Sequence, residues 1–317
     1  MKRISFILLL CAIVSVASAQ KITHTFQDVP LSEALKYIQE QATDYNITFI
    51  YDELEDFRVT THIQNKSVPD AILQIVGFYP IRVVKSGKHE IYVECTHKTD
   101  RHLTGTIIDE QGQPVAYANI AVLNPADSTL IAGGVSNESG VFVVPIDQPN
   151  ILARISYVGY KTVYKQCDNT ELGIIRMQPE THTLKGVTVK GERIVSGTEK
   201  GHLIYNLPML LQIYPADDAY EALTRIPGVV ESDGNLTFSG RPVTLIINGK
   251  PTTLDADKVI ERLKNMPSSM LAKAEVMPSA PAKYHVRGMA INIVTKDFAG
   301  TNQLSGQLMG GWRQDKY

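Results

Sequence analysis

Two stretches of the chain place apolar residues at helical spacing directly after a proline. Val29-Pro30 leads into Leu31, Ala34, Leu35, Ile38 and Ala42, and Val68-Pro69 leads into Ala71, Ile72, Ile75 and Val76. Proline suits a helix start, where its missing N–H has no intrahelical bond to lose, and this apolar recurrence lines one helix face. Strand-forming runs at 22–26, 47–51, 58–63, 81–85 and 90–94 flank both helices. Residues 20–97 are therefore predicted to form a small α+β domain.

From residue 103 the helical period disappears. Short β-type runs at 105–109, 118–123, 140–146 and 151–157 alternate with turn residues at 110–114, 137–140 and 148–150, predicting a compact antiparallel β-sandwich over 101–179. Residues 180–201 are polar and glycine-punctuated apart from Leu184-Lys185-Gly186-Val187-Thr188-Val189-Lys190-Gly191, and read as a linker with one strand-forming segment. A second α+β pattern covers 202–297. Asp217 and Asp218 open a helix whose Ala219, Ala222, Leu223 and Ile226 share a face, and Pro227-Gly228 ends it. Strand runs follow at 229–231, 236–239 and 244–247, the last entering the tight-turn pair Asn248-Gly249. Asp255 or Asp257 is placed to cap a helix reaching Lys264, and strands at 274–277 and 291–296 complete the unit.

Composition narrows the functions. The 317 residues are 44% hydrophobic and 20% charged, enough for roughly two or three domains. A net charge of -2 gives no electrostatic footprint for nucleic acid or anionic lipid. Lys2 and Arg3, the apolar run 4–16 and Ala17-Ser18-Ala19 have the layout of a signal peptide over 1–19, cleaved between Ala19 and Gln20. A single-span anchor is the alternative, but the run falls short of the ~20 apolar residues a spanning helix needs. Lipidation at Cys11 is another, without the small residues expected just before the cysteine. Cys95 and Cys167 then remain, too few for a disulfide framework and in different predicted domains; both are expected to be unpaired.

Chemistry-bearing constellations are missing from the sequence. The eight histidines are scattered without a His-Glu-x-x-His helix, and the close group His97, Asp100 and His102 sits at a predicted junction, where a solvated linker explains it. No Gly-x-Ser-x-Gly elbow or phosphate-cradling loop appears. The aspartates at helix starts are explained by capping and the helix dipole. No catalytic, cofactor or metal site is expected, and the chain is not expected to be an enzyme.

Three segments resemble known families. Phe26-Gln27-Asp28-Val29-Pro30 and Asn65-Lys66-Ser67-Val68-Pro69, opening the two halves of 20–97, resemble the secretin and TonB short N-terminal domain. That resemblance implies a periplasmic signalling domain touching an anti-sigma regulator; a plain spacer is the alternative. Gly105-Thr106-Ile107-Ile108-Asp109, Gly112-Gln113-Pro114 and Ala118-Asn119 resemble the opening of carboxypeptidase-regulatory-like domains, with Tyr157-Val158-Gly159-Tyr160 as their later strand pair. This implies an Ig-like, non-catalytic β-sandwich without zinc ligands. Ala222-Leu223 with Ile226-Pro227-Gly228-Val229, Ile247-Asn248-Gly249-Lys250, Glu275-Val276, Pro278-Ser279-Ala280, Lys283-Tyr284 and Ile291-Asn292-Ile293-Val294-Thr295-Lys296 resemble, in order, the plug of TonB-dependent receptors. The sequence departs from that pattern at Pro281 and in having only Gly288 between 285 and 290.

Residues 184–191 resemble the energy-coupling box ahead of such plugs. The resemblance names Leu184, Val187, Thr188 and Val189 as contacts for the TonB energy-transducing protein, although Gly186 replaces the usual acidic residue and Thr188 interrupts a valine run. An extended peptide lends its backbone to a partner's sheet edge, and β-branched residues favour that state; an ordinary linker strand is the alternative. In 304–313 Leu304, Gly306, Leu308, Gly310 and Trp312 alternate with Ser305, Gln307, Met309, Gly311 and Arg313, as in a membrane-spanning β-strand. One such strand leaves backbone groups unpaired in hydrocarbon, a cost that only a closed barrel removes. Residues 303–317 are thus expected to begin a barrel that this chain does not contain.

The expected fold class is multidomain, α+β and all-β: a small α+β signalling domain, an Ig-like β-sandwich, an α+β plug domain and the first strand of an absent β-barrel. By resemblance the whole would take up an unknown nutrient ligand, such as a chelated metal, a glycan or a peptide, through the outer membrane, its N-terminal domains in the periplasm. The alternatives are a barrel-less periplasmic signalling or scaffold protein, a truncated gene product, and an exported enzyme.

Overall fold

The structure, a computed structural model, describes residues 21–180, 194–197, 201–232, 234–252 and 256–296. The expected signal peptide with its Ala19/Gln20 cleavage site and the expected barrel strand at 304–313 lie outside the described residues. Among the described residues the chain is mostly β, in several separate sheets, with no closed barrel.

The first unit runs in the order β1 (Lys21–Pro30), α1 (Leu31–Gln41), β2 (Asn46–Phe49), β3 (Arg58–Ser67), α2 (Val68–Val76), β4 (Ile81–Ser86) and β5 (Glu90–Cys95). Strands β1 and β3 form an antiparallel ribbon, while β2 and β4 flank β5, parallel and antiparallel to it. The two proline-led stripes become the helices. Leu31, Ala34, Leu35 and Ile38 of α1 are fully buried, as are Val68, Ala71 and Ile72 of α2. Pro30 is the N-cap of α1, whereas α2 is capped by Ser67, whose hydroxyl accepts from the Asp70 N–H at 3.3 Å, with Pro69 in the first turn.

The second unit is a sandwich of β6 (His102–Ile108), β7 (Asn119–Leu123), β8 (Leu130–Val135), β9 (Val141–Pro145), β10 (Ile151–Ser156), β11 (Val163–Cys167) and β12 (Glu171–Arg176). One sheet has the order β11-β10-β7-β8, the other β12-β6-β9. Alternation along β10 sends Ile151, Ala153 and Ile155 into a core with Leu103, Ile107, Phe142 and Val144. The sandwich is not wholly antiparallel as expected, because β12 pairs with β6 in parallel. Tyr157-Val158-Gly159-Tyr160 is also the turn between β10 and β11 rather than a strand pair; Gly159 takes a left-handed φ of 79° there.

The third unit comprises β13 (Val195–Gly197), β14 (Leu203–Asn206), α3 (Leu207–Ile213), α4 (Ala219–Thr224), β15 (Val229–Ser232), β16 (Asn235–Phe238), β17 (Arg241–Pro242), β18 (Thr244–Ile247), β19 (Lys250–Pro251), α5 (Ala256–Lys264), β20 (Leu271–Met277) and β21 (Ala290–Thr295). Six strands form a mixed sheet in the order β13-β14-β20-β21-β18-β19, and β15-β16-β17 make a separate meander. Val195–Gly197, in the segment read as linker, is the edge strand of that sheet. Asp218 caps α4 by accepting from the Glu221 N–H at 2.8 Å. Asp257 lies within the first turn of α5 and so is not its cap; Asp255 is outside the described residues.

Candidate functional site

The residues that the sequence marks for partner contact, Leu184, Val187, Thr188 and Val189, lie outside the described residues. Their flanks do not. Upstream, the Glu180 N–H donates to the Gly159 carbonyl at 2.8 Å, and the Tyr214 hydroxyl donates to the Glu180 carboxylate at 3.4 Å. Downstream, Ile194 accepts from the Asn206 N–H at 2.8 Å just before β13 begins. The described flanks are thus held, Glu180 by the sandwich and by Tyr214 just after α3, and Ile194 at the edge of the six-stranded sheet. That edge is short: β13 pairs with β14 through Val195 opposite Tyr205, Ser196 opposite Ile204 and Gly197 opposite Leu203.

Three of the plug-like motifs, at 247–250, 275–276 and 291–296, meet in this sheet, while those at 222–229 and 278–284 lie outside it. Asn248 and Gly249 turn β18 into β19 with φ of 50° and 74°, the left-handed pair that a two-residue hairpin loop requires. The Asn248 carboxamide oxygen accepts from the Thr295 N–H at 2.9 Å, and its amide donates to the Thr295 hydroxyl at 2.9 Å. The Gly249 N–H donates to the Asn292 side chain at 3.0 Å, and Asn292 stands opposite Glu275 across β20 and β21. Next to them the His202 imidazole lies 2.8 Å from the Glu275 carboxylate, with both side chains largely out of solvent. This contact holds the Glu275 carboxyl below its usual range.

A second focus is the junction of the three units. Strand β7 is buried on both faces. Its inner residues Ile120 and Val122 enter the sandwich core, while Asn119 and Ala121 lie on the other face with Gly133 and Val135 of β8, their antiparallel neighbours. That shallow face receives the β16–β17 hairpin. The Asn119 amide donates to the Ser239 hydroxyl at 2.6 Å, and a Cβ on Gly133 would lie 2.6 Å from the Ser239 carbonyl oxygen. On the far side of the hairpin the Arg241 guanidinium donates to the Phe78 carbonyl at 2.8 Å, in the turn after α2, and the Phe78 and Phe238 rings meet at 5.8 Å.

The first unit and the sandwich are joined separately. The Asn137 amide donates to the Arg58 carbonyl at 3.1 Å, and the Ser139 hydroxyl donates to Thr60 Oγ1 at 2.9 Å. The Tyr79 hydroxyl donates to that Arg58 carbonyl at 2.6 Å, and burial pushes its pKa well above the tyrosine range. His97, Asp100 and His102 do not converge. His97 contacts Asp147 at 2.9 Å and His102 contacts Asp56 at 2.7 Å, so two of the three bridge the first unit and the sandwich. Among the described residues no group of three or more His, Cys, Asp or Glu side chains could hold a metal ion. Cys95 and Cys167 are buried and unpaired.

Ser239, Arg241, His202 and the Gly133 contact were not marked by the sequence. A signal for part of this existed: the unbroken apolar run from Ile120 to Leu123 is that of a strand buried on both faces, and the Gly133-Gly134 pair marks a close backbone approach.

Comparison with known proteins adds a family match over part of the chain. No curated protein matches the sequence. Among solved structures, P. aeruginosa FpvA, in a complex with a heterologous pyoverdine and iron, aligns over 88% of this chain and 28% of its own, at 13% identity and a TM-score of 0.25. The shaft pilin SpaA of Lactobacillus rhamnosus GG, as a double mutant, covers 31% of this chain and 53% of its own, at 16% identity and a TM-score of 0.23. A 9R-lipoxygenase from Cyanothece PCC8801 covers 30% and 18%, at 15% identity and a TM-score of 0.19. This chain therefore spans less than two thirds of each of these proteins, and superpositions this loose carry no assignment of fold or function. Residues 102–190, the sandwich together with most of the candidate coupling segment, match the carboxypeptidase regulatory-like domain family.

Proposed function

We propose that this chain is the N-terminal part of a TonB-dependent outer-membrane receptor for energy-coupled uptake of a nutrient. In this reading residues 1–19 direct export, residues 20–97 form a periplasmic signalling domain that contacts an anti-sigma regulator, and the carboxypeptidase regulatory-like domain is a non-catalytic extension. Residues 202–297 are the plug of a β-barrel, Leu184, Val187, Thr188 and Val189 contact TonB, and the chain has no enzymatic role.

The observation that carries the reading is the convergence of ordered motifs. Ile247-Asn248-Gly249-Lys250, Glu275-Val276 and Ile291-Asn292-Ile293-Val294-Thr295-Lys296 resemble receptor plugs one by one, and in the fold Asn248 holds Thr295 while Gly249 reaches Asn292 opposite Glu275. Residues with no local reason to occur together serve one hairpin and its neighbouring strands. The described residues just after the coupling segment support coupling by a pull on that segment. A pull on 184–191 arrives first at Ile194 and at the three-residue ladder between β13 and β14. Each ladder bond there is worth only about 0.5–1.5 kcal/mol net, so this edge is the weakest link between segment and sheet.

The test is retention of the chain by the immobilised periplasmic domain of TonB. Wild-type protein is expected to be retained, and Val187→Pro with Val189→Pro to be lost, because proline removes backbone donors from an added strand. Lack of retention of the wild type, or equal retention of the proline variant, would overturn the coupling role. Recovery of the whole gene product that carries this chain with the soluble periplasm, instead of the outer membrane, would overturn the receptor.

A further inference from the structure

A cavity of about 790 Å³ lies between the first unit and the third. That is the size of pockets that enclose small molecules, roughly 300–1,000 Å³. Its walls come from α2 and β4 on one side, and from His202, the β16–β17 hairpin and the 278–282 loop on the other. Arg241 lines it, half-buried, and no carboxylate lies within ion-pair distance of its guanidinium among the described residues. Burial alone moves this group, pulling it down to about 10. A guanidinium carries five N–H donors in a rigid fork that fits paired oxygens. Arg241 directs bonds only to the Phe78 carbonyl at 2.8 Å and, less closely, to the Tyr79 carbonyl at 3.4 Å, so part of the fork is unused.

The rest of the wall does not neutralise this charge. Arg82 also lines the cavity, paired with Glu94. Asp70 is the acid among the lining residues, and its carboxylate accepts from the Ser67 hydroxyl at 2.6 Å. Attraction for an anion is strengthened where apolar walls lower the local dielectric, and Val76, Ile81 and Met289 supply such walls.

We propose that this cavity binds a small oxyanion-bearing molecule, a carboxylate or a phosphate, with Arg241 as the anchor. Because its walls belong to two units, the occupant ties the first unit to the third, and binding stabilises their association by mass action. The proposal does not depend on the transport reading, since it uses only the junction geometry.

The experiment is thermal unfolding of the full chain in detergent with inorganic phosphate or citrate, against sodium chloride at matched ionic strength. A saturable rise in midpoint with phosphate, citrate or both is expected; which of them acts separates the phosphate from the carboxylate. Arg241→Gln is expected to abolish the rise. Should Arg241→Gln fail to fold, Arg241→Lys keeps the charge without the fork and is expected to need roughly tenfold more anion, the equivalent of one lost hydrogen bond. No saturable rise with either anion, or an undiminished rise in the Arg241 variants, would overturn the proposal.

Discussion

Asn119 and Ser239, 120 positions apart, are joined by a 2.6 Å hydrogen bond from the amide of one to the hydroxyl of the other, in a site closed to solvent. The bond fixes the β16–β17 hairpin on the outer face of β7. Both groups would be buried polar atoms without it, and an unsatisfied buried group costs more than a typical bond contributes. Asn119→Ala is therefore expected to destabilise the chain by roughly 1–3 kcal/mol. Adding Ser239→Ala should cost less than the sum of the single changes, because the two side chains share one interaction. Urea unfolding of the four proteins checks this, and strict additivity would remove the coupling.

Gly133 tests the same contact through backbone approach. A Cβ there would meet the Ser239 carbonyl oxygen at 2.6 Å, while Gly133 is held in the β7–β8 ladder and the Ser239 N–H donates to the Gly228 carbonyl at 2.8 Å. Gly133→Ala is expected to cost roughly 1–3 kcal/mol as an overpacked contact. Gly133 does not take a left-handed φ, so the close contact and not backbone strain accounts for that cost. A Gly133→Ala protein with unchanged unfolding would place the hairpin elsewhere.

The hairpin at Asn248 and Gly249 supplies a local counterpart. A β-branched residue at φ 74° is strained, so Gly249→Val is expected to lose roughly 1–2 kcal/mol. Asn248→Ala should lose a comparable amount for another reason, the orphaned Thr295 N–H that Asn248 now satisfies at 2.9 Å. Amide exchange separates the two: faster exchange at Thr295 is expected in Asn248→Ala, and its absence would contradict the assigned bond.

Acid sensitivity should follow from the pairing of His202 with Glu275. The Glu275 carboxyl is held below its usual value of 4.5, first by the hydrogen bond with His202. Such a group binds fewer protons in the folded than in the unfolded state. Its stabilising contribution is complete above about 4.5 and drains away as pH falls through the lower folded value. The urea midpoint of the wild type is expected to fall more steeply below pH 4.5 than that of Glu275→Gln. Parallel acid limbs would show that the pair contributes nothing.

Thiol chemistry offers a further check. Cys95 is buried beside the His97 carbonyl at 3.1 Å and its pKa is pushed up by burial, while Cys167 is buried against the Asn169 carbonyl at 2.7 Å. Both thiols are expected to react with a chromogenic disulfide reagent only in denaturant, because the thiolate is the reactive species and the folded chain hides it. Fast labelling of the native protein, or no reaction after unfolding, would exclude two buried free thiols.

Local signals were readable from the sequence. The proline-led stripes became α1 and α2, Asp218 caps α4, and Asn248-Gly249 makes a tight turn, because each depends on residues within a few positions of one another. Strands β8, β11 and β12 were missed for a different reason. Leu130–Val135 carries Gly133 and Gly134 and lacks alternation, its form being set by what packs on it, and β11 and β12 are sheet-edge strands with mixed polarity.

What the sequence by itself determined is the succession of an α+β unit, a β-sandwich and a second α+β unit, together with the motifs each contains. Only the tertiary structure decided that β12 runs parallel to β6, that Val195–Gly197 closes the edge of the third unit's sheet, and that Asn119, Ser239, Arg241 and Phe78 meet at one junction. The physical reason is range. Helix periods, caps and turns are chosen by neighbouring residues, whereas strand partners and the contacts of a buried polar group come from distant segments that leave no periodic trace in either one.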